Sequence, residues 1–373
     1  MAPQVVPPSS EFDWQKLAFD LYPTAGYVKY VWTPENGWGE KEWVDEPYLK
    51  MHISAVGIQY GCSCFEGLKA FRQEDGQVKL FRPDENAARL NHSGAALSMP
   101  EVPKGIFLDA CNTVVARNLQ FVPPHAPFGG AGSLYIRPTL LATGAELGLV
   151  APQEFTFYVY VTPLGSLYGS AGGKAPAVDA IIVHEFDRAA PMGTGTIKAG
   201  GNYGPVLKYQ AQAKKAGYAI TLHLDSKTRT FIDEFSTSNF IAIKKRSAGE
   251  DKPTLVYPKS ESILKSVTAK SLMDIARSLG WNVEHRPISF QEVIDGGLEE
   301  VMACGTAAAI TPIRSITYLD DAGQQAKVSI GDGENAGPGT VELLQQLTGI
   351  QAGNKEAPAN WLWPAEGVDA SKA

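Results

Sequence analysis

Residues 163–176, PLGSLYGSAGGKAP, combine Gly, Ser and Pro with no helical or strand period. They stand between two stretches of clear strand character, FTFYVYV (155–161) and AIIVHEF (180–186). Turn residues in such a run cannot continue either strand, so the chain is expected to divide there. Its 373 residues agree with two domains, at roughly 150 residues per domain. The expected order is an N-terminal arm over 1–26, a small domain over 27–162, an interdomain linker over 163–176 and a large domain over 177–373.

The first domain reads as β-rich. YVKYVW (27–32), ISAVGIQY (53–60), GLKAF (67–71), VKLF (78–81) and SLYIRP (133–138) are short, β-branched or aromatic, and bounded by turn residues. Between them Ala87, Leu90, Ala95 and Leu97 recur at helical spacing, which predicts a helix over 82–99, and a second is expected over 104–119. In the second domain the strands AIIVHEF, AITLHL (219–224) and NFIAIK (239–244) alternate with helices near 204–216, 268–279 and 340–348. The fold class is therefore α/β, an α+β small domain joined to an α/β large domain.

Net charge is −7, and no segment gathers Lys and Arg on one face. Neither nucleic acid nor an anionic membrane is expected as a main partner. No apolar run approaches the roughly 18 residues of a membrane span. The start, MAPQVVPPSS, has neither a basic n-region with an apolar core nor the Arg-rich character of a transit peptide, so a cytoplasmic protein is the default expectation. Four cysteines in a chain of this length do not make a disulfide framework. Cys62 and Cys64 form a C-x-C, but no His or Cys cluster completes a metal site, so no metal is expected and both read as small buried residues.

Chemistry concentrates in GTGTIKAGGNYGP, Gly193 to Pro205, where five glycines surround the single lysine Lys198. A phosphate-binding Walker loop needs Ser or Thr after its lysine, and Ala199 follows here. Two readings remain: a solvated lysine in a loop, or a lysine that forms an imine. The second requires a pKa well below the ordinary ~10.4, through burial or a neighbouring cation. In FIDEFSTSNF (231–240), Asp233 and Glu234 lie inside an apolar strand-like run, so one of them should point inward and need a cationic or hydrogen-bonding partner. The strand pattern does not choose between them. Ser266 precedes a helical run, which suits either simple capping or an anion held by the Val267 and Thr268 amides. The turn in ACGTAAAITP (303–312) could likewise meet a ligand through Thr306.

Taken in order, YGCSCFEGLKAFR (60–72), LFRPDENAARL (80–90), LYIRP (134–138), GTIKAGGNYGP (195–205), DEFSTSN (233–239) and CGTAAAITP (304–312) resemble class IV aminotransferases of the branched-chain amino-acid aminotransferase type. The resemblance runs from about Tyr27 to Trp363. It implies a fold type IV enzyme, D-amino-acid aminotransferase-like, that depends on pyridoxal 5'-phosphate and works as a homodimer. By the same resemblance Lys198 carries the cofactor as an imine and moves the substrate α-proton. Tyr203 meets the ring's phenolic oxygen, and Glu234 rather than Asp233 pairs with the ring nitrogen. Arg89, the Val267 and Thr268 amides and Thr306 hold the phosphate. Tyr60, Phe65 and Tyr135 line the side-chain pocket, and Arg137 receives a distal carboxylate. Thr237 and the Thr306–Ala307 turn lie at the α-carboxylate.

The implied reaction moves an amino group between an L-branched-chain amino acid and 2-oxoglutarate by a ping-pong route. Rivals within the fold are a D-amino-acid or (R)-amine transaminase, a lyase, and a relative serving a specialised biosynthetic acid. The YIRP and FEGLKAF blocks favour the branched-chain group. Three departures from the family pattern stand out. KSVTAK has no Gly before its Val, Ala199 replaces a common Leu or Met, and only Cys304 remains where some relatives have C-x-x-C. No redox switch is expected at that turn.

Overall fold

The computed structural model describes residues 6–126, 130, 132–165, 176–246 and 249–365. The middle of the expected linker, 166–175, lies outside the described residues. The chain forms two compact units. The first comprises Met1–Ser170, Ile197–Gly201 and Thr348–Ala373, and the second comprises Ala171–Thr196 and Asn202–Leu347.

The first unit is built on a nine-stranded sheet whose pairings are antiparallel. Strand Ser133–Ala142 pairs along its whole length with Phe155–Leu164. Its other side carries Ser63–Phe65 and Leu68–Arg72. Phe155, Phe157, Val159 and Val161 are buried while Tyr158 and Tyr160 between them are half-exposed. That period of two puts one face of the strand on the core. Helices Pro83–Ala96 and Lys104–Ala116 cover this face. The first begins with Pro at its N-terminal turn, followed by Asp84 and Glu85, where a missing N–H costs nothing and negative charge meets the helix dipole. From the second, Phe107 stacks on Phe157 at 5.9 Å between ring centroids, with neither ring exposed.

One expected strand is not formed. ISAVGIQY (53–60) contains a single helical turn, Val56–Gln59, closed by Gln59 N–H to Ala55 O (3.0 Å) and Tyr60 N–H to Val56 O (2.9 Å). A strand must pair its backbone groups along its length, whereas this segment makes an isolated bridge at Ala55 and then turns into a helix that packs against Ser133–Ala142. A Cβ on Gly57 would stand 2.4 Å from the Leu141 side chain, so only glycine allows the approach. Ile53, Ile58 and Tyr60 are left exposed.

The second unit holds a mixed nine-stranded sheet. Val178–Ile182 runs parallel to both Ile220–Leu224 and Ala309–Leu319. The crossover to Ile220–Leu224 includes helix Val206–Lys215, as a parallel connection requires. Ile232–Phe235, Asn239–Lys244, Leu298–Gly305 and Ala309–Leu319 follow one another as antiparallel neighbours. Thr254–Pro258, buried throughout, pairs in parallel with Asn282–Arg286 across helix Val267–Ser278. The mixed α/β class expected from the pattern is the one observed. Among the described residues no helix is long and apolar enough to cross a membrane.

Removing the Phe157 ring should cost about 3–5 kcal/mol, because its cavity is lined by rigid neighbours. Urea unfolding of Phe157→Ala against the parent protein measures this. A loss below about 1 kcal/mol would mean that the sheet and helix are not packed as described.

Candidate active site

Lys198 lies in a short segment, Ile197–Gly201, that joins the first unit. Ala199 forms a β-bridge with Cys64, and the Phe65 N–H donates to Lys198 O at 3.1 Å. On the other side the Lys198 N–H donates to Ser93 Oγ (2.9 Å), whose own hydroxyl donates to Arg89 O one helical turn back. Glycine is needed in this segment for closeness rather than for flexibility: a Cβ on Gly200 would meet Ser63 Oγ at 2.6 Å. The loop lysine of the sequence is thus a lysine with a fixed backbone.

Its amine lies 4.9 Å from the centre of the Phe65 ring. Arg137 stacks on the same ring at 4.8 Å and donates to Tyr135 Oη at 3.1 Å. Arg89 forms a two-pronged ion pair with Glu66, both bonds 2.7 Å, and the Glu66 side chain is fully buried. Asn86 adds a third donor to Glu66, also at 2.7 Å. Burial, then the positive charges of Arg89 and Arg137, lower the Lys198 pKa to about 8, and Glu66 and Tyr135 oppose them. At pH 7 about one amine in ten is then neutral, against about one in three thousand at the ordinary value. Burial brings Lys69 to about 8 as well, so a lowered pKa does not by itself select Lys198. What sets the Lys198 amine apart from a merely buried one is the aromatic ring and the cations gathered around it.

In the second unit both acids are buried, and their partners differ. Glu234 has a side chain 4% exposed. It accepts hydrogen bonds from Arg188, from Asn239 Nδ2 (2.9 Å) and from the Leu264 N–H (3.1 Å). Asp233 faces Ser260 instead, and burial raises its pKa. The ladder places further expected residues near Glu234. Glu234 pairs with Asn239, and Asn239 with Cys304, one step before the turn that holds Thr306 and Ala307. Thr237 belongs to the tight turn beside Gly305, whose added Cβ would stand 3.5 Å from Ser238. Asn239 also donates to Leu264 O at 2.8 Å, tying in the segment that leads to Val267 and Thr268. There Ser266 Oγ accepts from the Ala269 N–H at 3.1 Å, so the expected cap is formed. Tyr203 is half-buried, directly after the Lys198 segment.

Tyr60 does not join the cluster at Lys198. It is 50% exposed, and its hydroxyl donates to Leu147 O at 2.7 Å. Sequence reasoning also passed over Glu66, Ser93 and Arg188. Glu66 alone carried a signal, an acid inside the apolar run FEGLKAF.

Residues 63–316, more than half of the chain, match the family described as Amino-transferase class IV. The chain belongs to this family. Aminotransferase atnJ of Emericella nidulans is 44% identical over 346 residues, covering 92% of this chain and 95% of that protein. Branched-chain amino acid aminotransferase gloG of Glarea lozoyensis is 45% identical over 312 residues, covering 83% and 84%. Among solved structures, the branched-chain amino acid aminotransferase of Escherichia coli superposes with a TM-score of 0.72 at 26% identity, covering 90% of this chain and 99% of that one.

This enzyme is therefore an aminotransferase of fold type IV that depends on pyridoxal 5'-phosphate. The residues present fit that group. An imine needs a lysine that is partly neutral, and Lys198 is one. A protonated ring nitrogen needs a buried carboxylate, and Glu234 is held by three donors.

The rate at which the apoprotein forms an imine with an aldehyde probe should rise about tenfold per pH unit below pH 8 and level off above it, because only the neutral amine attacks. Absorbance stopped-flow measures it. A midpoint near 10.5 would contradict the desolvated setting of Lys198.

Proposed function

We propose that this aminotransferase moves the amino group between an L-branched-chain amino acid and 2-oxoglutarate in a ping-pong cycle. The observation that carries the reading is the grouping of Phe65, Tyr135 and Arg137 around Lys198. Two aromatic faces suit an apolar side chain, and a guanidinium beside them suits the distal carboxylate of the second substrate. The relative named a branched-chain amino acid aminotransferase supports the same reading.

When bound, the cofactor supplies an electron sink conjugated with the substrate α-carbon. Lys198 would hold the cofactor, and its amine would take the substrate α-proton and return it. Its lowered pKa suits both halves of that task near neutral pH. Glu234 pairs with the ring nitrogen, and Tyr203 donates to the ring's phenolic oxygen. Thr306 and the amides of Val267 and Thr268 hold the phosphate, with Arg89. Two N–H donors of the Arg89 guanidinium are engaged with Glu66, and this two-point pair fixes its plane. The Thr306–Ala307 turn and the Thr237 hydroxyl receive the α-carboxylate.

The chain acts as a homodimer in this proposal. Ile53, Leu147 and Leu149 are 80%, 90% and 89% exposed, and the Ala55–Ala145 bridge joins their two segments into one apolar surface with Tyr60. A second copy is the occupant that suits such a surface, and Tyr60 then serves the side-chain pocket from there. Sedimentation should give twice the chain mass, and Leu147→Glu with Leu149→Glu should shift it to the single-chain mass.

Arg137→Met should lower kcat/KM for 2-oxoglutarate about 10- to 100-fold, the loss of ~1.5–3 kcal/mol from a charged hydrogen bond. The leucine half-reaction, read from the cofactor's absorbance, should change by less than about threefold. Equal loss in both halves would remove Arg137 from the proposed role. A donor screen that ranks D-leucine or a simple (R)-amine above L-leucine would overturn the substrate class.

A further inference from the structure

Arg188 lies outside every motif that points to the cofactor, yet its side chain is only 7% exposed and meets three segments of the second unit. One guanidinium nitrogen, Nη2, donates to Glu234 Oε1, to Ser262 O at 2.8 Å and to Gly195 O at 3.4 Å. Glu234 is the acid of strand Ile232–Phe235. Ser262 begins the approach to helix Val267–Ser278, and Gly195 stands three residues before Lys198. The last two are pressed together: a Cβ on Gly195 would lie 2.1 Å from Ser262 O. A neutral side chain could tie the two carbonyls. A buried cation is required only by the carboxylate, because an arginine without a counter-charge here would be costly.

From this arrangement we infer that Arg188 is a positioning residue that sets the charge of Glu234, holding it as a weakly basic carboxylate so that the proton of the partner base stays on the cofactor ring. The inference rests on the proposed pairing of Glu234 with the ring nitrogen. Its physical basis is competition for one electron pair. A carboxylate already neutralised by a guanidinium has less attraction for a second proton. A glutamate without that neighbour would draw the ring proton to itself and leave a neutral pair, with weaker attraction and a poorer electron sink.

The other titratable groups near the pair do not replace Arg188. Asp233, on the same strand, faces Ser260, and Asp187 and Asp225 act on it from neighbouring segments. Cys304, on strand Leu298–Gly305, has its thiol pushed up by burial and stays neutral. His223, on strand Ile220–Leu224, is lowered to about 4 by burial and then by Arg188, and is neutral near pH 7. Arg229 acts on His223 from further along the chain and is paired with Asp187.

The test compares the full-length wild type with Arg188→Gln, which keeps amide donors for the two carbonyls but has no charge, and with Arg188→Lys, which restores the charge. Carbon-13 NMR of glutamate-labelled apoprotein follows the Glu234 carboxylate, assigned by its loss in Glu234→Gln. Dialysis measures retention of pyridoxal 5'-phosphate from pH 6 to 9. In Arg188→Gln the Glu234 midpoint should rise by about three pH units, into the range of the dialysis, as burial without a counter-charge does to a carboxylate. Retention should fall about tenfold at pH 6 and recover towards pH 9, where Glu234 ionises again. Arg188→Lys should restore both. The inference is overturned if Glu234 titrates as in wild type, or if retention falls equally at every pH and in both variants. Should Arg188→Gln fail to fold, an Arg188→Lys protein with a shifted Glu234 midpoint would overturn it too. If wild type itself does not retain the cofactor, the underlying site reading fails instead.

Discussion

A lysine amine stays out of water only if the backbone that carries it is tied down, and here a few hydrogen bonds do this. The Phe65 N–H donates to Lys198 O, Ala199 bridges to Cys64, and Ser93 Oγ accepts from the Lys198 N–H. Five residues, Ile197–Gly201, thereby join the sheet of the first unit although the chain before and after them belongs to the second. The lowered pKa follows from that anchorage, because desolvation acts only on a side chain that cannot swing back into solvent. The surrounding glycines serve the same end. Gly200 lets the segment lie against Ser63, and Gly195 lets the preceding loop lie against Ser262.

Each unit also contains a buried arginine–glutamate pair, Arg89 with Glu66 in the first and Arg188 with Glu234 in the second. Taking two charges out of water costs several kcal/mol per ion, so such pairs are weak evidence of stability. What they supply is orientation. Glu66 holds Arg89 by two bonds in a fixed plane, and Asn86 completes the carboxylate. Glu234 is held in the same manner by Arg188, Asn239 and the Leu264 amide. Charges held in this way reorganise little when a ligand arrives, and a site for a charged cofactor benefits from that.

Much of the architecture was legible because it depends on local period. The alternation in FTFYVYV marked a strand with one buried face, and the spacing of Ala87, Leu90 and Ala95 marked a helix. ISAVGIQY misled for a physical reason: apolar composition marks surface to be covered, but a strand requires pairing along its length, and here Ala55 makes an isolated bridge to Ala145 before the chain turns into a helix. The same limit applied to the site. Lys198, Glu234 and Thr306 could be chosen because blocks of sequence around them carry a family pattern. Ser93 and Arg188 could not, since their importance lies in a hydrogen bond to a residue 105 or 46 positions away.

By itself, then, the sequence determined the mixed α/β class and the aminotransferase family, both properties of short ordered blocks and their periods. The tertiary structure alone decided that Lys198 is desolvated, that Arg89 is oriented by Glu66, and that Glu234 is held by Arg188. Those are long-range contacts. They depend on which backbone segments the two sheets bring together, and no local pattern of residues records that.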